Sequence, residues 1–248
     1  MIKLERDFHP PFFSDENVAT LTDLYKTEGR NVWQHQDVKN ACLQLGNNKC
    51  AYCEVELNQK STYLEVDHFR HKDDYPDEVI QWENLLPSCR HCNGTKNDHD
   101  VVVEPIVNPC RDLPSDHFYL RAYRIKGKSS LGKMTEEVLN LNDAEHYVIE
   151  RCKVGNLIYE KIEEAENKFN NYLIAPNTAR KREVSKIIRA LLNQCQKTAL
   201  FSAVSATTLH ESEEYILLRS NMIVAGIWKE QFEEQHQCSL ALKLPTSK

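Results

Sequence analysis

The chain carries Cys50-Ala-Tyr-Cys53 and, after residues 54–88, a second pair of the same spacing, Cys89-Arg-His-Cys92. Two residues between cysteines allow a tight turn that directs both sulfurs at one ion, and two such turns complete a tetrahedral four-thiolate zinc site. Such a site has no open position, so we expect the zinc to be structural. Four ordinary core cysteines are the alternative, and the repeated spacing favours zinc.

The other five cysteines are spread singly along the chain, and we expect them to be ordinary core or surface residues. They are Cys42, Cys110, Cys152, Cys195 and Cys238.

The residues between the two cysteine pairs and directly after the last cysteine include side chains suited to cutting a phosphodiester bond. Asp67 offers a hard oxygen that suits Mg²⁺, and His68 has an unperturbed pKa of about 6.5, which suits a general base. Asn93 adds a neutral oxygen ligand at the start of a predicted helix. The amide of Asn84 is suited to bind the backbone around His68 and to orient its imidazole. Lys96 shares a helix face with Asn93 and is expected to meet a substrate phosphate.

The adjacency of Asp67 and His68 places a condition on the fold. In a regular strand neighbouring side chains point to opposite faces of the sheet. Both residues can therefore serve one site only if the strand ends or bends at this point.

This ordered set of residues resembles the HNH endonucleases, whose active site is a ββα-metal module. Three segments further resemble the Septu- and retron-associated HNH subfamily called PtuB: Lys49-Cys-Ala-Tyr-Cys-Glu54, Asp67-His-Phe-Arg70 and Trp82-Glu-Asn-Leu-Leu86. The resemblance continues beyond the module, in Asn108-Pro109 with His117-Phe118 and in Leu139-Asn-Leu-Asn142 with Arg151.

The HNH resemblance implies a one-metal hydrolysis. One Mg²⁺ or Mn²⁺ is expected on Asp67 and Asn93, while His68 takes a proton from the attacking water. Asn84 completes the expected catalytic set. Arg70, in the same motif as His68, is expected with Lys96 to contact the substrate.

Two residues near the motif are expected to have no catalytic role. His71 stands where the subfamily leads us to expect proline, and we interpret it as a solvated loop residue or a neighbour of a phosphate. Trp82 has apolar neighbours at Ile80 and Leu85, so core packing is favoured over stacking on a base.

The subfamily resemblance also implies partners. DNA is the preferred expectation for the substrate, and structured RNA such as tRNA is the alternative. Both stay open because the motif does not distinguish ribose from deoxyribose. The resemblance implies an ABC-type ATPase, PtuA, with which such nucleases form an anti-phage complex. In retron settings a reverse transcriptase with its RNA–DNA product joins it. A non-catalytic zinc module that binds protein or nucleic acid is the alternative from another functional class.

Composition limits the class of protein. With 248 residues, 41% of them hydrophobic, the chain can bury a core. No apolar run approaches the roughly 18 residues of a spanning helix, and charges at the N-terminus argue against an export signal, so a cytoplasmic location without membrane contact is expected. The formal net charge is −6, so we expect nucleic-acid binding to rely on a partner.

The patterning predicts a mainly helical α+β protein with a ββα-metal module and its zinc clamp embedded in it. We expect an N-terminal arm and helices over 1–48, the HNH module over 49–100, a connector over 101–133 and a helical region over 134–248. Ser14 is a predicted helix N-cap, and Gly46 is predicted to end a second helix. Helical periodicity also runs from Thr208 to Phe232.

Overall fold

The structure is a computed structural model that describes residues 1–57 and 63–247. In chain order its α-helices are α1 (Asp15–Glu28), α2 (Gln36–Leu45), α3 (Arg90–Lys96), α4 (Pro114–His117), α5 (Ser130–Val138), α6 (Ile149–Ile174), α7 (Thr178–Asn193), α8 (Ser202–Glu211), α9 (Glu213–Val224) and α10 (Glu230–Leu240). Its strands are β1 (Leu64–His68), β2 (Leu85–Cys89), β3 (Phe118–Arg121) and β4 (Arg124–Gly127). The predicted mainly helical α+β class is confirmed.

The chain divides into two compact units. Unit 1 comprises Met1–Phe118 and Lys126–Asn142, and unit 2 comprises Tyr119–Ile125 and Asp143–Lys248. The strand pair β1–β2 and helix α3, which carry the motif residues, all lie in unit 1.

Helix α1 begins and ends where its local sequence predicts. The hydroxyl of Ser14 accepts a hydrogen bond from the backbone N–H of Asn17, which satisfies one of the unpaired donors of the first turn. Gly29 follows the helix with φ +67°, a left-handed conformation that costs glycine little because it has no Cβ.

Helix α2 ends at Gly46 beside strand β2. A Cβ at Gly46 would lie 2.4 Å from the carbonyl oxygen of Lys49 and 2.6 Å from Cγ of Pro87. Only glycine therefore lets the helix end approach both the turn before the first cysteine pair and the strand before the second. The helix buries one face against these strands, through Val38, Ala41, Cys42 and Leu45.

Strands β1 and β2 form an antiparallel pair in which Asp67 lies opposite Leu86 and His68 opposite Leu85. All residues of β2 are buried, and α3 follows it directly, which gives the order ββα. Strand β1 ends at His68, so the condition set by the adjacent aspartate and histidine is met.

The N-terminal arm packs against this module. The Arg6 guanidinium donates to the carbonyl oxygen of Leu85 at 2.6 Å and lies 4.5 Å from the centre of the Trp82 ring. Trp82 is 2% exposed and packs between Phe8 and Phe13. The expected core role of Trp82 is therefore confirmed.

Unit 2 is a set of packed helices with one continuous apolar core. The core side chains lie mainly on α6, α7, α8, α9 and α10, and they include Phe169, Ile188, Leu192, Leu209 and Phe232. The predicted helical character of this region is confirmed, but the periodicity between Thr208 and Phe232 is not one helix. Ser212 ends α8, and its hydroxyl accepts from the N–H of Tyr215 to begin α9.

None of the helices in the described ranges has the length and apolarity that crossing a bilayer requires.

A buried histidine in unit 2 predicts acid sensitivity. His210 lies 2.8 Å (Nε2) from the Ser239 hydroxyl, with its ring against that of His236. Burial, with smaller contributions from the nearby positive charges of His236, Lys243 and Arg219, lowers the pKa of His210 to about 4. The pKa of histidine in an unfolded chain is about 6.5, so the unfolded state binds this proton first as pH falls. The contribution of His210 to the free energy of unfolding is fully present above about pH 6.5. It is lost progressively as the pH falls from about 6.5 to about 4.

We therefore expect His210→Gln to unfold with a weaker pH dependence than the wild-type chain. The wild type should lose about 2 kcal/mol through this residue between pH 7.5 and pH 5. Denaturant titrations at both pH values measure it, with exposed His9 changed to Gln as the control. An unchanged pH dependence in His210→Gln would contradict the assignment.

Candidate active site and metal centre

The four paired cysteines meet at the junction of β2 and α3. Their Sγ atoms all lie within 4.8 Å of one another, and those of Cys53 and Cys89 are 3.7 Å apart. A disulfide would bring two sulfurs to about 2.05 Å. Zinc–sulfur bonds of about 2.3 Å in a tetrahedron place sulfurs about 3.8 Å apart. The predicted cluster is confirmed, and its geometry suits zinc.

The chemistry of this cluster also suits a cation. All four cysteines are buried, and burial raises the pKa of the Cys53 and Cys92 thiols well above the usual value. Four thiolates are therefore stable here only beside a positive ion, which Zn²⁺ provides when bound.

A cleft of about 380 Å³ opens beside the end of β1. Asp67, His68 and Asn93 line it together, so three of the predicted site residues share one cavity. Its other lining residues are Trp33, Glu65, Val66, His71, Lys72, Arg90, Gly94 and Asn97.

The imidazole of His68 has a defined tautomer. Its Nε2 lies 2.8 Å from the carbonyl oxygen of Val79, and because a carbonyl only accepts hydrogen bonds, Nε2 must carry the proton. Nδ1 then holds the lone pair. Burial lowers the pKa of His68 to about 4, so the ring is neutral at pH 7. The ring can accept a proton at Nδ1.

Asn84 holds the loops on either side of this imidazole. Its Oδ1 accepts from the backbone N–H of Arg70 at 2.7 Å, and its Nδ2 donates to the carbonyl oxygens of Arg70 at 3.0 Å and Glu78 at 3.2 Å. Glu78 directly precedes Val79, the residue that binds the His68 ring. The side chain of Asn84 thus contacts the backbone around His68, as its predicted role requires.

Asp67 is buried between two hydrogen-bond donors. The hydroxyl of Tyr52 donates to Oδ2 at 2.5 Å, and the ammonium of Lys96 donates to Oδ1 at 3.0 Å. Burial, reinforced by Asp67, raises the pKa of Tyr52, so the phenol stays a donor. An ionised carboxylate offers about four lone-pair positions, which leaves Asp67 able to bind a cation as well.

Asn93 is oriented by a residue that the sequence analysis did not single out. Its Nδ2 donates to Oε2 of Glu65 at 2.7 Å, so Oδ1 is the atom left to bind a cation. Glu65 precedes Asp67 by two positions in β1, which places both on one face of the strand. The two-residue spacing of Glu65 and Asp67 is the signal in the sequence that could have identified Glu65 as a site residue. Carboxylate and amide oxygens suit Mg²⁺ or Mn²⁺.

The two expected substrate contacts lie elsewhere. The side chain of Lys96 is 0% exposed, and its ammonium donates to Asp67 and, at 2.7 Å, to the carbonyl oxygen of His68. Buried in this way it does not reach a substrate phosphate, contrary to our expectation. Arg70 pairs with Glu78 at 2.5 Å and lines a separate cavity.

Two other cations border the cleft. Arg90 is exposed, and its side chain makes no ion pair or hydrogen bond with any residue that the structure describes. Lys72 pairs with Asp73 at 2.9 Å. Arg90 lies between Cys89 and Cys92, and the spacing of the cysteines does not predict a role for its side chain.

Comparison with known proteins agrees with this geometry. Residues 50–99 match the family model described as HNH endonuclease, and this range includes Asp67, His68, Asn84 and Asn93. The chain is therefore a nuclease of the HNH class.

The relatives define the family more narrowly. The chain is 39% identical over 237 residues to Septu protein PtuB of Bacillus thuringiensis, which covers 94% of this chain and 91% of that protein. It is 31% identical over 200 residues to Septu protein PtuB of Bacillus mycoides strain KBAB4, with coverages of 62% and 67%. The chain belongs to the Septu PtuB family.

A third similarity involves another Septu protein. Septu protein PtuA of Bacillus mycoides strain KBAB4 is 29% identical over 127 residues, which cover 39% of this chain and 18% of PtuA. No solved structure matches the chain.

We expect Cys53→Ser to abolish zinc binding. Structural zinc supplies on the order of 10–16 kcal/mol of folding free energy in isolated zinc-finger peptides, so unit 1 should also lose its protease resistance. Mass spectrometry of metal content measures the first effect, and Cys238→Ser, at an exposed cysteine, is the matched control. Retention of zinc and of protease resistance by Cys53→Ser would contradict the assignment.

Proposed function

We propose that this chain is the nuclease effector of an anti-phage complex and that it hydrolyses the phosphodiester bonds of DNA in preference to those of RNA. The observation that supports this most directly is the single cleft in which a neutral imidazole, His68, meets the oxygen donors of Asp67 and Asn93.

His68 acts as the general base. Its Nδ1 takes a proton from the water that attacks phosphorus, and its Nε2–H stays bound to the Val79 carbonyl oxygen. That hydrogen bond fixes the direction of the ring and stabilises the imidazolium that forms. Asn84 supports the same geometry through its hydrogen bonds to the backbone carbonyl oxygens of Arg70 and Glu78.

Asp67 and Asn93 are the residues that would hold Mg²⁺ or Mn²⁺. A divalent cation bound there would supply positive charge that stabilises the negative charge developing on the phosphate. Two direct ligands suit one ion rather than two. Glu65 fixes the amide of Asn93, and Lys96 and Tyr52 fix the carboxylate of Asp67.

Substrate phosphates are held by the cations at the rim of the cleft. Arg90 and Lys72 take the role first expected of Lys96 and Arg70, because their side chains border the cavity that contains His68. Lys96 instead acts as a positioning residue, since its ammonium joins Asp67 to the backbone of His68.

The partner is PtuA, acting as an ABC-type ATPase in the cytoplasm. Two relatives are named Septu protein PtuB, and a PtuA protein contains a segment similar to this chain. The net charge of −6 also favours a partner that holds much of the nucleic acid. A retron reverse transcriptase with its RNA–DNA product is a further partner in that setting.

We expect His68→Ala to lower the cleavage rate by about 10²–10⁴-fold while zinc content is unchanged, because only the general base is lost. The assay uses the purified chain, alone and with PtuA, in Mn²⁺, on DNA and RNA of the same sequence. His9→Ala is the control, since His9 is exposed and is not among the residues that line this cleft. Normal cleavage by His68→Ala would rule out the mechanism, and preferential cleavage of RNA would replace the proposed substrate.

We expect Glu65→Gln to bind Mn²⁺ about tenfold more weakly, as is common when a residue that orients a metal ligand is lost. The glutamine amide can donate to Oδ1 of Asn93 and so turn the wrong atom towards the cation. Electron paramagnetic resonance of free Mn²⁺ measures affinity without a cleavage assay. Glu83→Gln, at an exposed glutamate, is the control. Wild-type affinity in Glu65→Gln would show that Glu65 does not position Asn93.

A further inference from the structure

The three tryptophans of the chain differ in how their indole N–H groups are used. Trp82 donates to the carbonyl oxygen of Phe8, and Trp228 donates to the carboxylate of Glu233. The indole N–H of Trp33 makes no hydrogen bond within residues 1–57 and 63–247, and Trp33 is partly exposed in the wall of the cleft. Buried tryptophans usually satisfy this donor, so Trp33 is placed differently from the two packed indoles.

The position of Trp33 brings it next to the proposed base. The centres of the Trp33 and His68 rings are 4.9 Å apart, and their planes are nearly perpendicular at 88°. Trp33 lies in the short helical turn Val32–Gln34, outside the residues that match the HNH family. A segment before the nuclease module thus supplies an aromatic wall to its cleft.

Neighbouring side chains hold this indole in place. The ring of Tyr25 contacts it edge to face at a centre distance of 5.8 Å, and the Tyr25 hydroxyl donates to Asp73 at 2.7 Å. Val32, in the same turn as Trp33, is buried. The aromatic wall is therefore fixed both from α1 and from the loop that follows β1.

The charge around the indole suits a nucleotide. The Lys72 ammonium lies 5.9 Å from the centre of the Trp33 ring, and Arg90 lines the same cleft. A π surface beside cations is the combination that proteins use to bind single strands, in which bases stack on aromatic rings and phosphates meet Lys or Arg.

We propose that Trp33 stacks on the base next to the scissile phosphate, and that the cleft takes nucleic acid whose nucleotide at that position is unpaired. This proposal rests on the proposed nuclease function. Within a duplex the neighbouring bases cover both faces of a base, so a side chain reaches a face only where the nucleotide is single-stranded or flipped out. The closeness of Trp33 to His68 ties that nucleotide to the one being cut.

Binding measurements on Trp33→Leu test the proposal. Fluorescein-labelled 20-nucleotide single-stranded DNA and the matching duplex are titrated with the full chain, alone and together with PtuA, without added divalent cation. We expect Trp33→Leu to weaken binding of the single strand about tenfold and to change duplex binding less than twofold. Trp33→Phe keeps an aromatic face and should keep most of the affinity. Equal binding of the single strand by Trp33→Leu and wild type would overturn the proposal, as would equal losses for both probes.

Two controls separate stacking from damage to the fold. Tyr159→Leu removes an exposed aromatic ring of unit 2 and should leave binding of both probes unchanged. A second measurement uses the wild-type chain, so no variant has to fold. Single-stranded DNA carrying 5-iododeoxyuridine is photo-crosslinked, and the modified peptide is identified by mass spectrometry. We expect the adduct on the peptide that contains Trp33, and adducts found only elsewhere would overturn the proposal.

The outcome also distinguishes this inference from the function on which it rests. The stacking role is ruled out, and the nuclease function is kept, if three results are found together. These are cleavage of single-stranded DNA by wild type, equal binding of that DNA by Trp33→Leu and wild type, and no crosslink at Trp33. A wild-type chain that neither binds nor cleaves DNA or RNA, with or without PtuA, overturns both.

Discussion

Four buried cysteines whose sulfurs converge in a geometry that suits zinc are the constraint on which the candidate site depends. Tyr52 lies between the first two cysteines and donates to Asp67, while Asn93 directly follows the last cysteine. The clamp therefore holds both proposed oxygen ligands, one through a phenol and one through the chain itself. A module with two short strands and one seven-residue helix has little apolar surface of its own, so an ion bound by the four sulfurs would contribute rigidity that packing alone would not.

The imidazole of His68 depends on a different support. Val79 fixes one ring nitrogen, and Asn84 binds the two backbone segments that flank this contact. Trp33 closes a third side from outside the HNH module. The proposed base is thus held by loops and by the N-terminal region, whereas the proposed cation ligands are held by the zinc clamp. This separation explains why the site needs more of the chain than the matched residues 50–99.

The sequence predicted the features that spacing encodes. Paired cysteines predicted the thiolate cluster, and the order of the motif residues predicted the helix that carries Asn93. The end of β1 at His68 was only a condition that the site required, and the structure meets it. Spacing says nothing about what lies opposite a side chain. Lys96 does share a helix with Asn93, but its ammonium turns inward to Asp67. Trp33 escaped notice because its neighbour, His68, is distant in sequence and only tertiary packing joins them.

Anomalous diffraction from crystals grown with zinc and Mn²⁺ tests the central claim most directly, because the two metals are distinguished at their absorption edges. The account predicts zinc among Cys50, Cys53, Cys89 and Cys92, and Mn²⁺ bonded to oxygens of Asp67 and Asn93 in the cleft beside His68. Mn²⁺ bound away from these two residues, or zinc absent from the four sulfurs, would contradict it.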